Sequence, residues 1–333
     1  MKHKNIRCFA RNGSSIFAGT ISQGIFISTD EGQSWTQTSL NDRWVYSLAV
    51  DGSVIYAGTY IYGVYKSTDN GQTWFQTSVN NNNIYTILIT GGRIFAGGMR
   101  SMYISSDNGQ SWVTSAFNNT NIYSLAVSGS QIYAGTGDYY NSHGTGVYVS
   151  SDNGQTWIQT SLNNKIIASF IVIGSKIFAG ADPSGVYLSS DNGISWVPKN
   201  EGLGNSNIVS FISNNDYLFA GTRGGSVWKR SLSELIGITN ISTEVPKEFS
   251  LSQNYPNPFN PSTKIRFQIP KSGLVNMAVY DILGREITTL VNEELKPGIY
   301  EAEWDASNYP SGVYYYKLFT NEFSETRKAV LIK

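Results

Sequence analysis

The chain has 333 residues, which is long enough for one large or two ordinary domains. Its 24 basic and 24 acidic residues leave no net charge, so neither a nucleic acid nor an anionic membrane surface is an expected partner. With 33 glycines, 21 tyrosines and only 14% charged residues, the composition favours strands and turns over helices. We therefore expect an all-β protein.

Several kinds of site are excluded by simple sequence features. Cys8 is the single cysteine, so no internal disulfide framework can form, and no cluster of histidines and cysteines has the spacing of metal ligands. No glycine-rich loop opens a helix in the way a phosphate-binding loop does. No apolar run approaches the roughly 20 residues of a membrane-spanning helix. We expect no metal, no cofactor and no transmembrane segment.

A five-residue segment of the type IFAGT occurs six times, beginning at residue 16. One run of alternating apolar residues precedes each copy, such as 121–127, and two runs follow it, such as 146–151 and 156–162. Four short strands in each repeat are typical of a propeller blade. The fold that we predict for residues 1–232 is a β-propeller of about six four-stranded blades, or seven in a longer natural chain. The repeated glycines lie 38 to 45 residues apart, at Gly19, Gly58, Gly97, Gly135, Gly180 and Gly221.

Between the third and fourth strands of five repeats lies a motif of the type SSDNGQTW. It resembles the Asp box, or BNR repeat. In such a turn the aspartate accepts hydrogen bonds from backbone N–H groups, the glycine adopts a positive φ and the tryptophan packs against the sheet. We interpret these residues as structural rather than catalytic or calcium-binding, because a turn repeated in every blade does not converge on one site. They are Asp30, Gly32, Trp35, Asp69, Gly71, Trp74, Asp107, Gly109, Trp112, Asp152, Gly154, Trp157, Asp191, Gly193 and Trp196.

The sixth repeat is incomplete in the sequence. It has an inner run at 208–212, the segment LFAGT and a third run at 226–232, with no aspartate motif and no fourth strand after them. The residues before the first inner strand are too few to supply a closing strand, and they lack the apolar core of about 7 to 15 residues that a secretory signal requires. We therefore expect that the natural chain starts further upstream, with a signal peptide and at least one more strand.

After a linker at 233–250, residues 251–333 have a different character. We predict strands at 264–270, 275–281, 298–305, 312–320 and 327–333, separated by turns, in a small antiparallel sandwich of Ig-like type. The segments NYPNPFNPST, VYDILGRE and WDASNYPSGVYYYKL, with the basic end of the chain, resemble the type IX secretion sorting domain of Bacteroidota and their relatives. The resemblance implies export, recognition by the outer-membrane type IX secretion machinery and a secreted or surface location.

Binding residues are expected where the repeats vary. The turns between second and third strands share one side of the propeller with the links between blades, and loops on a rigid scaffold commonly carry function. The insertion at 137–146 is the strongest single candidate because it alone breaks the repeat. Aromatic and amide side chains here suit a glycan or a protein ligand, bound by a monomer. The candidate ligand-binding residues are Trp44, Tyr60, Tyr62, Arg100, Asp138, Tyr139, Tyr140, His143, Asp182 and Arg223.

Catalysis is the alternative function. Propellers with Asp boxes include sialidases, xyloglucanase-type glycosidases and non-catalytic proteins, so the repeat cannot choose among them. A sialidase needs three arginines, and we expect only Arg43, Arg100 and Arg223 to reach the variable side. Asp138 and Asp182 could form a glycosidase carboxylate pair. The short and nearly identical repeats argue against a cleft, so we predict a secreted, non-catalytic binding propeller, with a glycoside hydrolase as the alternative.

Overall fold

The computed structural model describes residues 4–214, 217–232, 235, 238–242, 244–306 and 309–333. Within them lie 31 strands, which confirms the all-β class. The chain divides into two compact units. Unit 1 comprises 1–170, 179–186 and 206–210, and unit 2 comprises 171–178, 187–205 and 211–333.

Unit 1 contains four complete sheets, and each has four antiparallel strands in chain order. This is the blade organisation predicted from the repeats. Their strands are β1 (Ile6–Asn12), β2 (Ser15–Thr20), β3 (Ile25–Ser28) and β4 (Thr36–Gln37); β5 (Val45–Asp51), β6 (Val54–Thr59), β7 (Gly63–Ser67) and β8 (Phe75–Gln76); β9 (Ile84–Thr90), β10 (Arg93–Gly98), β11 (Ser101–Ser105) and β12 (Val113–Thr114); β13 (Asn121–Ser128), β14 (Gln131–Asp138), β15 (His143–Ser150) and β16 (Ile158–Gln159).

Two further sheets continue the repeat. The fifth has four strands, and the sixth has three among the residues that the structure describes. The strands are β17 (Ile166–Ile173), β18 (Lys176–Asp182), β19 (Gly185–Ser189) and β20 (Val197–Pro198), then β21 (Ile208–Ser213), β22 (Tyr217–Thr222) and β23 (Val227–Ser231).

The repeated glycine of the second strand marks the contact between neighbouring blades of unit 1. A Cβ atom added to Gly97 would lie 2.6 Å from Cγ2 of Ile122, on the inner strand of the next blade. Gly58 and Ile84 repeat the relation at 2.7 Å. Real side chains do not approach so closely. The inner strand of the next blade can therefore pack in this way only where the second strand carries a glycine.

The C-terminal part of unit 2 is a sandwich of two four-stranded sheets, in the orders β24-β29-β26-β25 and β28-β27-β30-β31. Inward-facing residues of both sheets form one core, which includes Phe267, Trp304 and Tyr316. The strands are β24 (Ile238–Ser242), β25 (Ser250–Leu251), β26 (Ser262–Ile269), β27 (Gly273–Tyr280), β28 (Glu286–Leu295), β29 (Gly298–Asp305), β30 (Gly312–Phe319) and β31 (Ser324–Leu331).

Two expectations for this region need correction. The segment 233–250, predicted as a linker, contributes β24, whose backbone pairs with β29. Residues 233, 234, 236, 237 and 243 of that segment lie outside the described residues. Residues 286–295, which the sequence analysis left between strands, form the long strand β28 beside β27. The run ITTLV at 287–291 favours a strand, and it was overlooked because the turn signals LGRE and KPG lie on either side of the segment.

Candidate functional site at the link end of the blades

Each blade of unit 1 has two ends with different connections. One end carries the turn between its first two strands and the aspartate motif between its third and fourth strands. Asn12 of the first blade shows their proximity, since its Nδ2 donates to Oδ1 of Asn70 at 2.8 Å and to the carbonyl of Gly52 at 2.7 Å. We call this the aspartate-turn end. The opposite end, which carries the turns between second and third strands and the links between blades, we call the link end.

At the aspartate-turn end, the polar groups of the motif bond mainly to one another. In the third blade, Ser105 Oγ donates to Oδ1 of Asp107 and accepts the N–H of Gly109, both at 2.8 Å. The backbone N–H of Ser111 donates to Oδ1 of the same aspartate at 2.9 Å. These bonds close an eight-residue turn from within. The same serine-to-aspartate and glycine-to-serine bonds recur at residues 28–32, 67–71, 150–154 and 189–193.

The aspartate turns also pack against the preceding blade. A Cβ atom on Gly109 would lie 2.9 Å from Cε1 of Tyr56, and the hydroxyl of Tyr56 donates to the carbonyl of Asn108 at 2.8 Å. The tryptophan ring N–H donates to the glycine carbonyl of its own turn in four of the five turns, whereas Nε1 of Trp112 has no partner among the described residues. These residues are therefore engaged in holding the blades.

Hydrogen bonds received by the aspartates lower their pKa values. A side-chain hydrogen bond from Ser111 is the largest cause for Asp107, and its pKa falls to about 2. The pKa values of Asp30, Asp69 and Asp152 are lowered to about 2 by corresponding bonds. A carboxylate stabilised in this way is a poor proton donor at neutral pH.

At the link end, a β-bulge places one residue of each inner strand outside the regular ladder. The register shifts between Ile6 and Cys8 in the first blade, and at the matching positions of the next three blades. The bulged residue is Arg7 in the first blade and tyrosine in the others: Tyr46, Tyr85 and Tyr123.

The bulged tyrosines contact one another across the blades. The ring centroids are 5.4 Å apart for Tyr46 and Tyr85 and 5.1 Å apart for Tyr85 and Tyr123. Tyr139 continues the series, 4.8 Å from Tyr123. We call these four residues the tyrosine row. All four are half-buried, and burial raises the pKa of Tyr85 to about 12. Sequence analysis named only Tyr139 of this row.

Three further side chains flank the beginning of the row. Trp44 stacks on Tyr60 at 5.1 Å with an interplanar angle of 26°, and Tyr60 meets Tyr46 edge-on at 6.3 Å. Trp44 remains 41% exposed. The guanidinium of Arg7 lies 5.4 Å from the centroid of the Tyr46 ring, within the range of a cation–π contact. The structure thus brings the predicted Trp44 and Tyr60 together with residues that sequence reasoning missed.

Two buried asparagines, Asn83 and Asn121, donate hydrogen bonds to tyrosines of the row. Asn83 accepts the N–H of Ile61 at 2.7 Å, and Asn121 accepts the N–H of Arg100 at 3.2 Å. Each amide nitrogen donates to a tyrosine of the row, to Tyr85 at 3.4 Å and to Tyr123 at 3.3 Å. Trp44 occupies the corresponding position before Tyr46, where an asparagine would otherwise lie.

The insertion at 137–146 extends the hairpin that joins β14 and β15. β14 and β15 are longer than their counterparts, and Asp138 pairs with His143 across the ladder. Asp138 accepts the N–H of Tyr140 at 2.9 Å and the side-chain amide of Asn141 at 2.6 Å. The bond from Asn141 is the main cause of its lowered pKa. His143 is exposed, and Tyr140 at the tip is 78% exposed.

The remaining candidates lie apart from these contacts or in unit 2. The ring of Tyr62 is covered by the guanidinium of Arg43 at 4.0 Å, and that guanidinium also reaches Asp42 at 2.6 Å. Asp182 ends β18 and is buried. Arg223 belongs to unit 2, where it is exposed and its carbonyl accepts a bond from Asn205 at 3.3 Å.

Two classes of feature are not found in the part of the chain that the structure describes. No helix there is long and apolar enough to cross a membrane. No group of three or more histidine, cysteine, aspartate or glutamate side chains there could hold a metal ion.

Solved structures similar to this chain share its propeller fold. The computationally designed protein Ika8 matches with a TM-score of 0.56 and 10% identity, covering 68% of this chain and 71% of that chain. A structure of YCF48 bound to D1 peptide matches with a TM-score of 0.53 and 12% identity, covering 90% and 91%. The extracellular domain of the hybrid two-component system BT4673 from B. thetaiotaomicron gives 0.51 and 13%, covering 80% and 44%. At these identities the likeness concerns the fold alone. A search of curated proteins finds no match.

The C-terminal part of the chain matches a protein family. The family model described as a secretion system C-terminal sorting domain covers residues 253–333. The match agrees with the resemblance found in the sequence, and it points to a secreted or outer-surface protein that interacts with a secretion machinery. The chain therefore joins propeller blades to a C-terminal sorting domain.

Proposed function

We propose that this chain is a secreted or cell-surface protein whose propeller blades bind a glycan or a protein without catalysing a reaction. The export signal is assigned to residues 253–333, which match the sorting-domain family. Binding is assigned to the link end of the blades in unit 1. The aspartate-turn end is assigned to the scaffold, together with the five aspartate turns.

The observation that carries this proposal is the tyrosine row. Tyr46, Tyr85 and Tyr123 come from successive blades and are half-buried at the link end, with Trp44 beside them and Tyr140 exposed nearby in the chain. Aromatic side chains with a polar tip supply contact area and hydrogen bonds at a low entropic cost, which makes them common in binding sites. The packing of a buried core does not require a row of aromatic side chains with polar tips at the link end.

A protein ligand has support from one comparison. YCF48, a propeller of similar fold, has been solved with a bound D1 peptide. Blades of this kind can therefore serve as a platform for a polypeptide, although the sequence identity of 12% carries no residue across.

The glycoside hydrolase alternative would rest on Asp138 and Asp182. A glycosidase acid needs a raised pKa, because it must carry its proton at working pH. Asp138 has the opposite shift, caused mainly by the bond from Asn141, and it holds the turn at the tip of the hairpin. This shift speaks against Asp138 as the acid of such a pair, and the hydrogen bonds that hold its carboxylate within its own hairpin favour the non-catalytic proposal.

The binding proposal is tested with the full chain on glycan and peptide arrays, in parallel with a panel of glycosidase substrates. We expect binding without turnover, weakened by Trp44→Ala. Turnover that is abolished by Asp138→Asn or Asp182→Asn would overturn the non-catalytic assignment.

The export proposal is tested by expressing the chain in a bacterium with a type IX secretion system. We expect the full chain at the cell surface or in the medium, where added protease can reach it. A chain that lacks residues 253–333 should remain inside the cell envelope. Equal export of both chains would contradict the proposal.

A further inference from the structure

The hydroxyl groups of Tyr46, Tyr85 and Tyr123 are hydrogen-bond donors that the described residues leave unused. Tyr123 accepts two bonds, from Asn121 Nδ2 at 3.3 Å and from the N–H of Tyr139 at 3.4 Å. Tyr85 accepts one, from Asn83 Nδ2. A phenol has a single hydrogen to donate, and among the described residues no acceptor lies within reach of either hydroxyl, or of Tyr46.

These three donors lie close enough to influence one another. Burial is the main cause of the raised pKa of Tyr46, and the phenols of Tyr60, Tyr140 and Tyr123 add to the shift. Burial likewise dominates for Tyr85, with Tyr123, Tyr140 and Tyr46 contributing. The exposed Tyr140 follows Tyr139 in the chain, and the ring of Tyr139 lies 4.8 Å from that of Tyr123.

Neighbouring rings of the row meet at steep angles and do not form one flat surface. Tyr46 and Tyr85 meet at an interplanar angle of 70°, and Tyr123 and Tyr139 meet at 63°. Trp44 is different, because it stacks on Tyr60 with one face and is 41% exposed. A ligand at this surface thus meets a flat aromatic face at one end and a series of phenol donors along the blades.

We propose that the tyrosine row binds a linear saccharide, with a sugar ring stacked on Trp44 and sugar oxygens accepting hydrogen bonds from Tyr46, Tyr85 and Tyr123. The proposal rests on the binding function assigned above and names its ligand class. Each unit of a saccharide chain combines an apolar C–H face with several oxygen acceptors, which matches an aromatic wall beside phenol donors. The inner strands β5 and β13 are the first strands of their sheets and each pairs with one neighbour. The row lies at the bulges of these strands, and a bulge disfavours the addition of an extended peptide as a further strand.

The charge of Arg7 bears on whether the saccharide is neutral or acidic. Its side chain is exposed at the beginning of the row, and no carboxylate partner lies within ion-pair distance among the described residues. A neutral chain would leave this charge in water, and an acidic chain would pair with it. The shared chemistry is the hydroxyl-rich sugar chain, and Arg7→Gln separates the two cases.

The experiment measures binding of the full chain to an array of neutral and uronic-acid-containing oligosaccharides, followed by calorimetry with the best binder. We expect Tyr85→Phe and Tyr123→Phe each to weaken binding about five- to tenfold, because one hydrogen bond is lost. Trp44→Ala should weaken it about tenfold or more. Phe75→Ala is the matched control, since Phe75 is a 64% exposed aromatic residue on the outer strand β8 and should have no effect. Melting temperatures verify that each variant is folded.

The outcomes separate the ligand class from the binding function. Saccharide binding that persists unchanged in both Tyr→Phe variants would overturn the site. Binding of a proline-rich peptide in place of any saccharide, lost in Trp44→Ala, would overturn the saccharide assignment and leave the binding function standing. A folded chain that binds neither class on either array would contradict both.

Discussion

The two ends of the blades in unit 1 are built on the same strands and use their polar groups in opposite ways. At the aspartate-turn end, serine, aspartate and backbone groups satisfy one another within each turn, and the sequence is nearly the same in every blade. At the link end, the sequence varies and the hydroxyl of Tyr85 retains a hydrogen that the described residues do not accept. Turns whose polar groups bond to one another suit a scaffold, whereas hydroxyl groups with an unused hydrogen suit the binding of a ligand.

This contrast predicts that substitutions at the blade contacts and aspartate turns change stability, whereas substitutions in the tyrosine row change binding. The largest stability effect is expected at the contact between blades. Gly97→Val places a side chain against Ile122, where even a Cβ atom would lie at 2.6 Å. We expect a loss of about 3 kcal/mol in the free energy of unfolding, measured by urea denaturation. Gly204→Ala, where a Cβ atom meets nothing within 4 Å, is the control and should change little.

The second prediction concerns one aspartate turn. Ser105→Ala removes the acceptor of the buried N–H of Gly109 and a donor to Asp107. We expect a destabilisation of about 1 to 3 kcal/mol, because a buried donor loses its partner. Ser106→Ala changes the neighbouring exposed serine and should have an effect within about 0.5 kcal/mol. Equal effects of the two variants would mean that the turn does not stabilise the blade.

The third prediction is a dependence of stability on pH. The pKa values of Asp30, Asp69, Asp107 and Asp152 are about 2 in the folded chain, below the ordinary aspartate value of 3.8. A carboxyl whose folded pKa is lowered stabilises the fold above its unfolded pKa and loses this contribution as pH falls through the folded value. The melting temperature should therefore decrease between about pH 4 and pH 2. Asp107→Asn should make this decrease shallower, and an identical slope would contradict the assigned role.

The smallest stability effect is expected in the tyrosine row. Tyr85→Phe removes a half-buried hydroxyl whose bond to Asn83 is 3.4 Å long. We expect the free energy of unfolding to change by less than about 0.5 kcal/mol. A loss as large as that of Ser105→Ala would show that the row is part of the scaffold.

Much of the fold could be predicted from the sequence because the same local signals recur in every repeat. The glycine of each IFAGT-type segment, the alternation of the strands and the turn chemistry around Asp107 are local signals, and the structure has four-stranded blades where they indicate them. The strand β24 could not be predicted in this way. Its partner β29 lies about sixty residues further along the chain, and local pattern does not encode such a pairing.

The candidate site was only partly visible for a related reason. Sequence variation pointed to Trp44 and Tyr60, which the structure places beside the tyrosine row, and to Tyr139, which belongs to it. The row itself occupies a repeated position within the inner strands, and alternation assigned Tyr46 and Tyr85 to ordinary strand positions. The bulge that brings them together depends on the register with the next strand. Aligning the residue after the buried Ile or Val of each inner strand would have exposed the series.

The most direct test of the account is one paired measurement on the double variant Tyr85→Phe/Tyr123→Phe in the full chain. Calorimetry with the best saccharide from the array gives its affinity, and thermal denaturation gives its melting temperature. The account predicts that binding weakens by more than about tenfold while the melting temperature stays within about 2 °C of the parent chain. Unchanged affinity, or a loss of affinity that accompanies a large fall in melting temperature, would contradict a ligand site at the tyrosine row.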